Sequence, residues 1–241
     1  MVANTAFRAA KLTLAAFSMT VLAACGGAES KSTSDPSATA NTAPGKKDNA
    51  PLHAHAGVLA NDMVIGSADA PITIVEYASV TCPHCATFHQ TILPEIKEKY
   101  VENGQVRFVF REFPTAPVRF ALIGSVMARC AADKGGPDAY FAVLGALFKD
   151  QRGWIYGQDP KAELLKIASQ AGMDEAAFDT CLQRQELVDL INENTRIASE
   201  DFKINGTPSF LLNGEKLNAN SVEAFEKAID AALAKETSGE G

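Results

Sequence analysis

The sequence predicts an α/β domain of order βαβ…ββα, with an all-helical domain inserted between the two halves. Three observations predict it. The run Ile72 to Val80 is almost continuously apolar and rich in β-branched residues, which reads as a strand buried on both faces. It passes directly into a segment of helical spacing that opens at Pro83, and a second strand pattern follows at Val106–Phe113. Strand signal then disappears for about ninety residues, all helical in spacing, before resuming at Pro208.

Taken in order, Met63 to Ile65 reads as a short edge strand, and Ser67 to Pro71 as a turn. In the segment after Pro83, the residues Cys85, Phe88, His89, Ile92, Leu93, Ile96 and Tyr100 recur at steps of three and four, the helical period. Pro94 inside it predicts a kink near Thr91–Leu93, because proline removes a backbone donor and clashes with the preceding turn. Pro114 stops the second strand. Helices are expected over Val118–Ala132 and Asp138–Phe148, separated by Gly135-Gly136-Pro137. A loop is expected around Gly153, Trp154 and Gly157. Further helices are expected over Ala162–Ala171, from Asp174 through Leu182, and over Glu186–Phe202. Phe141, Phe148, Trp154 and Tyr156 are read as core of the insert. Asn213-Gly214 marks a tight hairpin between Pro208–Leu212 and Glu215–Leu217. Ser221 caps a final helix through Ala234.

The chain has 241 residues, of which the first 24 read as a leader. Arg8 and Lys11 supply its positive end, and the apolar run Leu12 to Leu22 is too short to span a membrane. It closes in Leu22-Ala23-Ala24-Cys25, which resembles the lipobox of bacterial lipoproteins, with Cys25 as the lipidated residue. Residues 25–57 hold small and polar side chains that cannot offset their ordering entropy, so they are expected to form a flexible tether. The pair His53 and His55 within it makes a poor metal site. The net charge of −7, without a basic cluster, argues against nucleic acid as a partner. The tether shows no heptads, so a monomer is expected.

Four cysteines remain once Cys25 is set aside: Cys82, Cys85, Cys130 and Cys181. An even number in an exported chain suggests two pairs. Cys130 and Cys181 are separated by 51 positions, a spacing that suits a structural bridge. Cys82-Pro83-His84-Cys85 sits where a buried strand turns into a helix. There the unpaired N–H groups and the dipole favour a thiolate, the attacking species of thiol–disulfide exchange. A zinc site would need a second Cys/His pair at suitable spacing, so no metal and no cofactor are expected. Residue types alone leave Thr207-Pro208 as either a placed cis-proline or an ordinary turn.

The tetrapeptide Cys82-Pro83-His84-Cys85, the helical insert, and Gly206-Thr207-Pro208 ahead of a strand and hairpin resemble the DsbA family of thiol:disulfide oxidoreductases. The resemblance covers about residues 58–235 and implies a thioredoxin fold carrying an inserted helical domain. The thioredoxin-like part would comprise 58–114 and 203–237, the insert 115–202. The resemblance implies that Cys82 is the nucleophile and Cys85 the buried resolving partner. Pro83 and His84 complete the redox tetrapeptide, and His84 would donate a hydrogen bond to the Cys82 sulfur. Pro208 would be a cis-proline facing the pair, with Thr207 presenting its backbone to an extended substrate. Glu76, six positions before Cys82, matches a buried acid that helps move the proton of the resolving cysteine. The family also implies a strongly lowered thiol pKa and an oxidising pair. Thr207 departs from the best-studied members, which have an apolar residue there, and is similar to lipoprotein-type branches. The expectation is a periplasmic, lipid-anchored enzyme that oxidises reduced exported proteins and is reset by a membrane redox partner. A reductase or isomerase, and a thiol-based metal carrier, are the alternatives.

Overall fold

The computed structural model describes residues 57–238. The predicted leader, Cys25 and residues 26–56 lie outside the described residues. The strands are β1 (Met63–Ile65), β2 (Ile72–Ala78), β3 (Val106–Glu112), β4 (Ser209–Leu212) and β5 (Glu215–Leu217). They form one sheet of order β1-β3-β2-β4-β5. β2 and β3 are parallel, and the other pairings are antiparallel. The helices are α1 (Pro83–Thr91), α2 (Leu93–Ile96), α3 (Val118–Lys149), α4 (Gln151–Tyr156), α5 (Pro160–Gln170), α6 (Glu175–Cys181), α7 (Gln185–Glu200) and α8 (Val222–Ser238). Helices α3 to α7 therefore separate βαβ from ββα, the thioredoxin order with a helical insert. Among the described residues no helix is long and apolar enough to cross a membrane.

The sheet separates two cores, and the alternation of side chains along a strand decides which residue enters which. Ile72, Ile74 and Ala78 of β2 join the larger core beneath α1, α3 and α8, whereas Val75 and Tyr77 join a smaller one that includes Ile197 and Ala198 of α7. Glu76 shares the parity of Ile74 and Ala78, so it points into the larger core. Phe88 of α1 anchors that core, with ring centroids 4.6 Å from Phe210 and 5.4 Å from Phe225.

The break near Pro94 occurs at Ile92, which ends α1 and precedes α2 at φ −105°. A π-helical turn over Lys97–Val101 then completes the segment. Asn213 and Gly214 both adopt positive φ, 47° and 86°, as the tight turn between β4 and β5 requires. Asn213 Oδ1 also accepts from the Thr73 N–H at 2.8 Å, pinning this turn to β2.

The insert departs from the sequence reading in two places. The loop expected around Gly153 and Trp154 is the helix α4. Asp150 caps it by accepting from the Gly153 N–H at 3.1 Å, and the buried Trp154 indole donates to the Leu147 carbonyl at 2.8 Å. Tyr156, read as insert core, is 74% exposed. The predicted break at Gly135-Gly136-Pro137 is present: Gly136 leaves helical geometry at φ 64° and ψ −161°, so the span α3 is two helices that meet at a kink before Pro137. At Gly124 of α3 any Cβ would lie 2.9 Å from Val80 Cγ2 and 3.3 Å from Leu147 Cδ1. Glycine thus lets α3 lie directly against the turn that follows β2.

Polar contacts tie the insert to the sheet. Glu112 at the end of β3 is buried and accepts from Arg129 at 2.6 Å, Tyr140 at 2.8 Å and Asn194 at 3.0 Å. On the opposite face Arg111 pairs with Asp62 at 2.7 Å and donates to the Tyr77 hydroxyl at 2.9 Å. Within the insert, Cys130 of α3 and Cys181 of α6 are joined by a disulfide whose Cα atoms lie 6.1 Å apart. Chain-entropy arithmetic for its 51-residue separation gives about 4 kcal/mol as an upper value. The double variant Cys130→Ala/Cys181→Ala should therefore lose up to about 4 kcal/mol in urea titration. An unchanged midpoint would show that the bridge does not constrain the unfolded chain.

Candidate active site

The site is built where β2 ends. Cys82 takes extended φ and ψ of −81° and 121° and is the N-cap of α1, with Pro83 in the first turn. Proline suits that position because its fixed φ is helical and its missing N–H would be unpaired there anyway. The Cys82 sulfur fills the place a serine or aspartate oxygen usually fills. It accepts from the Cys85 backbone N–H at 3.4 Å. The site thus confers a thiolate preference by the same geometry that starts the helix.

Cys82 is 8% exposed and Cys85 is fully buried, and the two are free thiols. Their environments push them apart. The Cys85 thiol, donating to the Cys82 sulfur, is the largest influence that lowers Cys82 from an ordinary 9.0 to about 5. Burial opposes it. The Thr207 side chain and the backbone N–H groups of Cys85 and His84 assist. Burial in turn drives the Cys85 thiol far above its usual range, reinforced by its donation to Cys82 and by the charge of Glu76. The contribution expected from His84 comes through its backbone. Its side chain is exposed and lines a neighbouring groove.

Thr207–Pro208 is a cis peptide. The Thr207 carbonyl lies 3.4 Å from the Cys82 sulfur and accepts from the protonated thiol. It brings the β4 entrance directly onto the reactive atom.

Glu76 lies beneath this pair and is completely buried. One oxygen, Oε2, is 2.7 Å from His89 Nε2. The other, Oε1, has no hydrogen-bond partner. Burial raises its pKa, His89 opposes that, and Cys82 adds to it. His89 stands four residues after Cys85 on the inner face of α1, stacked 4.4 Å from Phe148 of α3. In the sequence His89 stands out only as a member of the helical repeat after Pro83. The spacing to Cys85 was visible, but its partner across the core was not. Among the described residues no three His, Cys, Asp or Glu side chains form a metal-sized cluster.

Gln151 was also missed. Its amide donates to the carbonyls of Val80 at 2.8 Å and Cys82 at 3.0 Å, so α4 of the insert holds the active-site turn. A second set of contacts holds the same turn from the other side. Thr81 Oγ1 lies 2.8 Å from Ser79 Oγ and donates to the Thr115 carbonyl at 3.1 Å, and the Thr115 N–H donates to Ser79 Oγ at 3.1 Å.

Comparison with known proteins agrees with this geometry. A family model described as thioredoxin matches residues 59–231. A Rickettsia prowazekii protein provisionally named a protein-disulfide oxidoreductase is 34% identical over 177 residues, 73% of this chain and 63% of the relative. The chain thus spans somewhat less than two thirds of that relative's length. A Bacillus anthracis protein provisionally named disulfide bond formation protein D is 28% identical, covering 71% of this chain and 78% of its own. The crystal structure of alpha-DsbA1 from Wolbachia pipientis superposes with a TM-score of 0.68 at 29% identity, over 76% of this chain and 96% of that one. Oxidised BdbD from Bacillus subtilis has the same fold, with a TM-score of 0.61 at 18% identity, over 72% of this chain and 94% of its own.

The lowered Cys82 thiol has a direct consequence for stability. A depressed folded-state pKa stabilises the reduced form, fully so above the unfolded value of 9.0, and the contribution is lost as pH falls through about 5. Most of it remains near neutrality. The reduced protein should therefore melt above the oxidised one near neutral pH, and the gap should close as pH falls through about 5. Alkylation rates of the reduced protein should show the same midpoint. A midpoint near 9.0 would contradict the geometry.

Proposed function

Since the chain belongs to the thioredoxin family, in its DsbA-like branch, we propose that it is an exported, membrane-tethered thiol:disulfide oxidoreductase that introduces disulfides into envelope proteins through Cys82 and Cys85. The observation that carries this reading is the opposed pair of thiols, one held as thiolate at about 5 and the other kept protonated by burial. A dithiol form so stabilised makes its disulfide a strong oxidant.

In the oxidised enzyme a substrate thiolate attacks the Cys82 sulfur. The Cys82–Cys85 bond breaks, a mixed disulfide forms, and Cys85 leaves with the electron pair and takes up a proton. A second substrate thiolate then attacks the substrate sulfur of the mixed disulfide and expels Cys82. The low pKa of Cys82 makes it a good leaving group. Two electrons pass from two substrate thiolates to the enzyme. One proton ends on Cys85, and Cys82 remains a thiolate. Thr207 and cis-Pro208 would present backbone to the extended substrate beside the reacting sulfur. Glu76 would supply the proton that Cys85 needs, held in place by its contact with His89. Its unpartnered oxygen and its raised pKa support that role.

The tether reading rests on the leader of residues 1–24 and the Leu-Ala-Ala-Cys sequence ending at Cys25. A lipid on Cys25 would hold the enzyme at the membrane that also carries its reoxidising partner, which must withdraw two electrons per cycle. The substrates would be reduced exported proteins.

The potential of the Cys82–Cys85 pair, measured against glutathione, should lie on the order of 100 mV above the thioredoxin value of about −270 mV. A value near that of thioredoxin would make the protein a reductant and overturn the oxidase reading. The variant Glu76→Gln should slow single-turnover oxidation of a reduced peptide by at least about tenfold. An unchanged rate would remove Glu76 from the site. The same variant should be more stable than wild type near neutral pH. The raised folded-state pKa of Glu76 gives a contribution present below 4.5 and lost as pH rises through the raised value. The advantage of the glutamine should therefore vanish on acidification below 4.5.

A further inference from the structure

A groove of about 620 Å³ lies beside the active site, between α1 and the β4–β5 end of the sheet. Its lining includes His84 and Phe88 of α1, Pro208 and Phe210 at β4, Lys216 of β5, and Lys203 in the loop before β4. The remaining lining mixes apolar residues with neutral polar ones such as Asn205 and Asn218. The charge on its walls is of one sign, because Lys203 and Lys216 line it and no aspartate or glutamate does. That is unexpected in a chain of net charge −7.

The two ammonium groups are built into place. Lys203 adopts φ 52°, and its Nζ donates to the Glu200 carbonyl at 2.8 Å. Lys216 Nζ donates to the Lys203 carbonyl at 3.2 Å. Each is thus anchored on a backbone carbonyl, which leaves its charge uncancelled. The nearby acids are directed elsewhere. The Glu200 carboxylate accepts from Arg196 at 2.6 Å, and Asp201 acts on Tyr77 in the smaller core. Glu215 precedes Lys216 on β5, so its side chain falls on the opposite face of the strand. Among the described residues β5 is the end strand of the sheet, paired with β4.

We propose that this groove selects extended polypeptide substrates carrying an acidic side chain within a few residues of the reacting cysteine, with Lys203 and Lys216 as the recognition residues. The inference rests on the oxidase reading above and names the substrate class of the same site. His84, two residues after Cys82, and Pro208, which follows Thr207, line the groove together with Lys203 and Lys216, so a chain seated for exchange beside Cys82 lies next to the lysines. An exposed ion pair changes a rate or an equilibrium by at most about fivefold, so two lysines should give a preference of about tenfold.

The test uses the oxidised full-length protein and three short synthetic peptides. Each has one cysteine with Asp, Asn or Lys about three residues to either side. Each rate is divided by that peptide's rate with the uncharged 2-hydroxyethyl disulfide, which removes the effect of the charge on the peptide's own thiol. The expected order is Asp, then Asn, then Lys, spanning about tenfold at low salt and collapsing near 0.5 M salt, where screening is strong. The double variant Lys203→Glu/Lys216→Glu should reverse the order. Three equal normalised rates, or an order unchanged in the double variant, would overturn the proposal while leaving the oxidase reading intact. If no peptide is oxidised and dithiothreitol does not reduce the Cys82–Cys85 disulfide, the oxidase reading falls and this inference falls with it.

Discussion

The site depends on one interaction, the sulfur of Cys82 standing as the N-cap of α1. A helix start leaves backbone donors unpaired, and here a thiolate satisfies one of them. The same atom therefore begins the helix and carries the reaction. The dipole and backbone donors act on Cys82, and the Cys85 thiol adds the largest share. Cys85 can do so only because burial keeps it protonated. The two cysteines are thus chemically different although they are three residues apart.

That cap is held from several directions. β2 delivers Cys82 from a strand buried along its whole length. The insert supplies Gln151, which fixes the Val80 and Cys82 carbonyls. The loop before α3 supplies Thr115, and the loop before β4 supplies Thr207. The inserted helices are therefore part of the active-site scaffold. Their attachment through Glu112, with Arg129, Tyr140 and Asn194, is as buried as the core itself. A buried charge with three hydrogen-bonding partners is costly to break on one side, so the insert and sheet are expected to move as one.

The parity of β2 decides what lies under the thiols. Glu76 enters the larger core only because it alternates with Ile74 and Ala78. A one-residue slip in pairing would place it with Val75 and Tyr77 on the other face, away from α1. Its encounter with His89 is a product of register, and so is the burial that leaves its other oxygen without a hydrogen-bond partner.

Much of the fold was legible in the residues because its signals are local or periodic. The continuous apolar run of β2, the helical steps after Pro83, the Asn213-Gly214 turn and the missing strand signal between the halves each need only neighbours in sequence. Helix α4 was not legible, since its cap by Asp150 and the packing of Trp154 outweigh two glycines that read as loop. Tyr156 misled for a related reason, because an aromatic residue in a short amphipathic turn can face either way. The redox tetrapeptide was legible as a strand-to-helix pair of thiols. Thr207-Pro208 acquired meaning only through the family resemblance. The sequence by itself determined the order of elements and the presence of a thiol at a helix start, because backbone sterics and hydrophobic period act within a few residues. Only the tertiary structure decided the different fates of the two thiols, the Glu76–His89 pairing, the hold of Gln151 and the lysines of the groove. Those rest on burial and on contacts between residues 13, 69 and 125 positions apart, which no local pattern encodes.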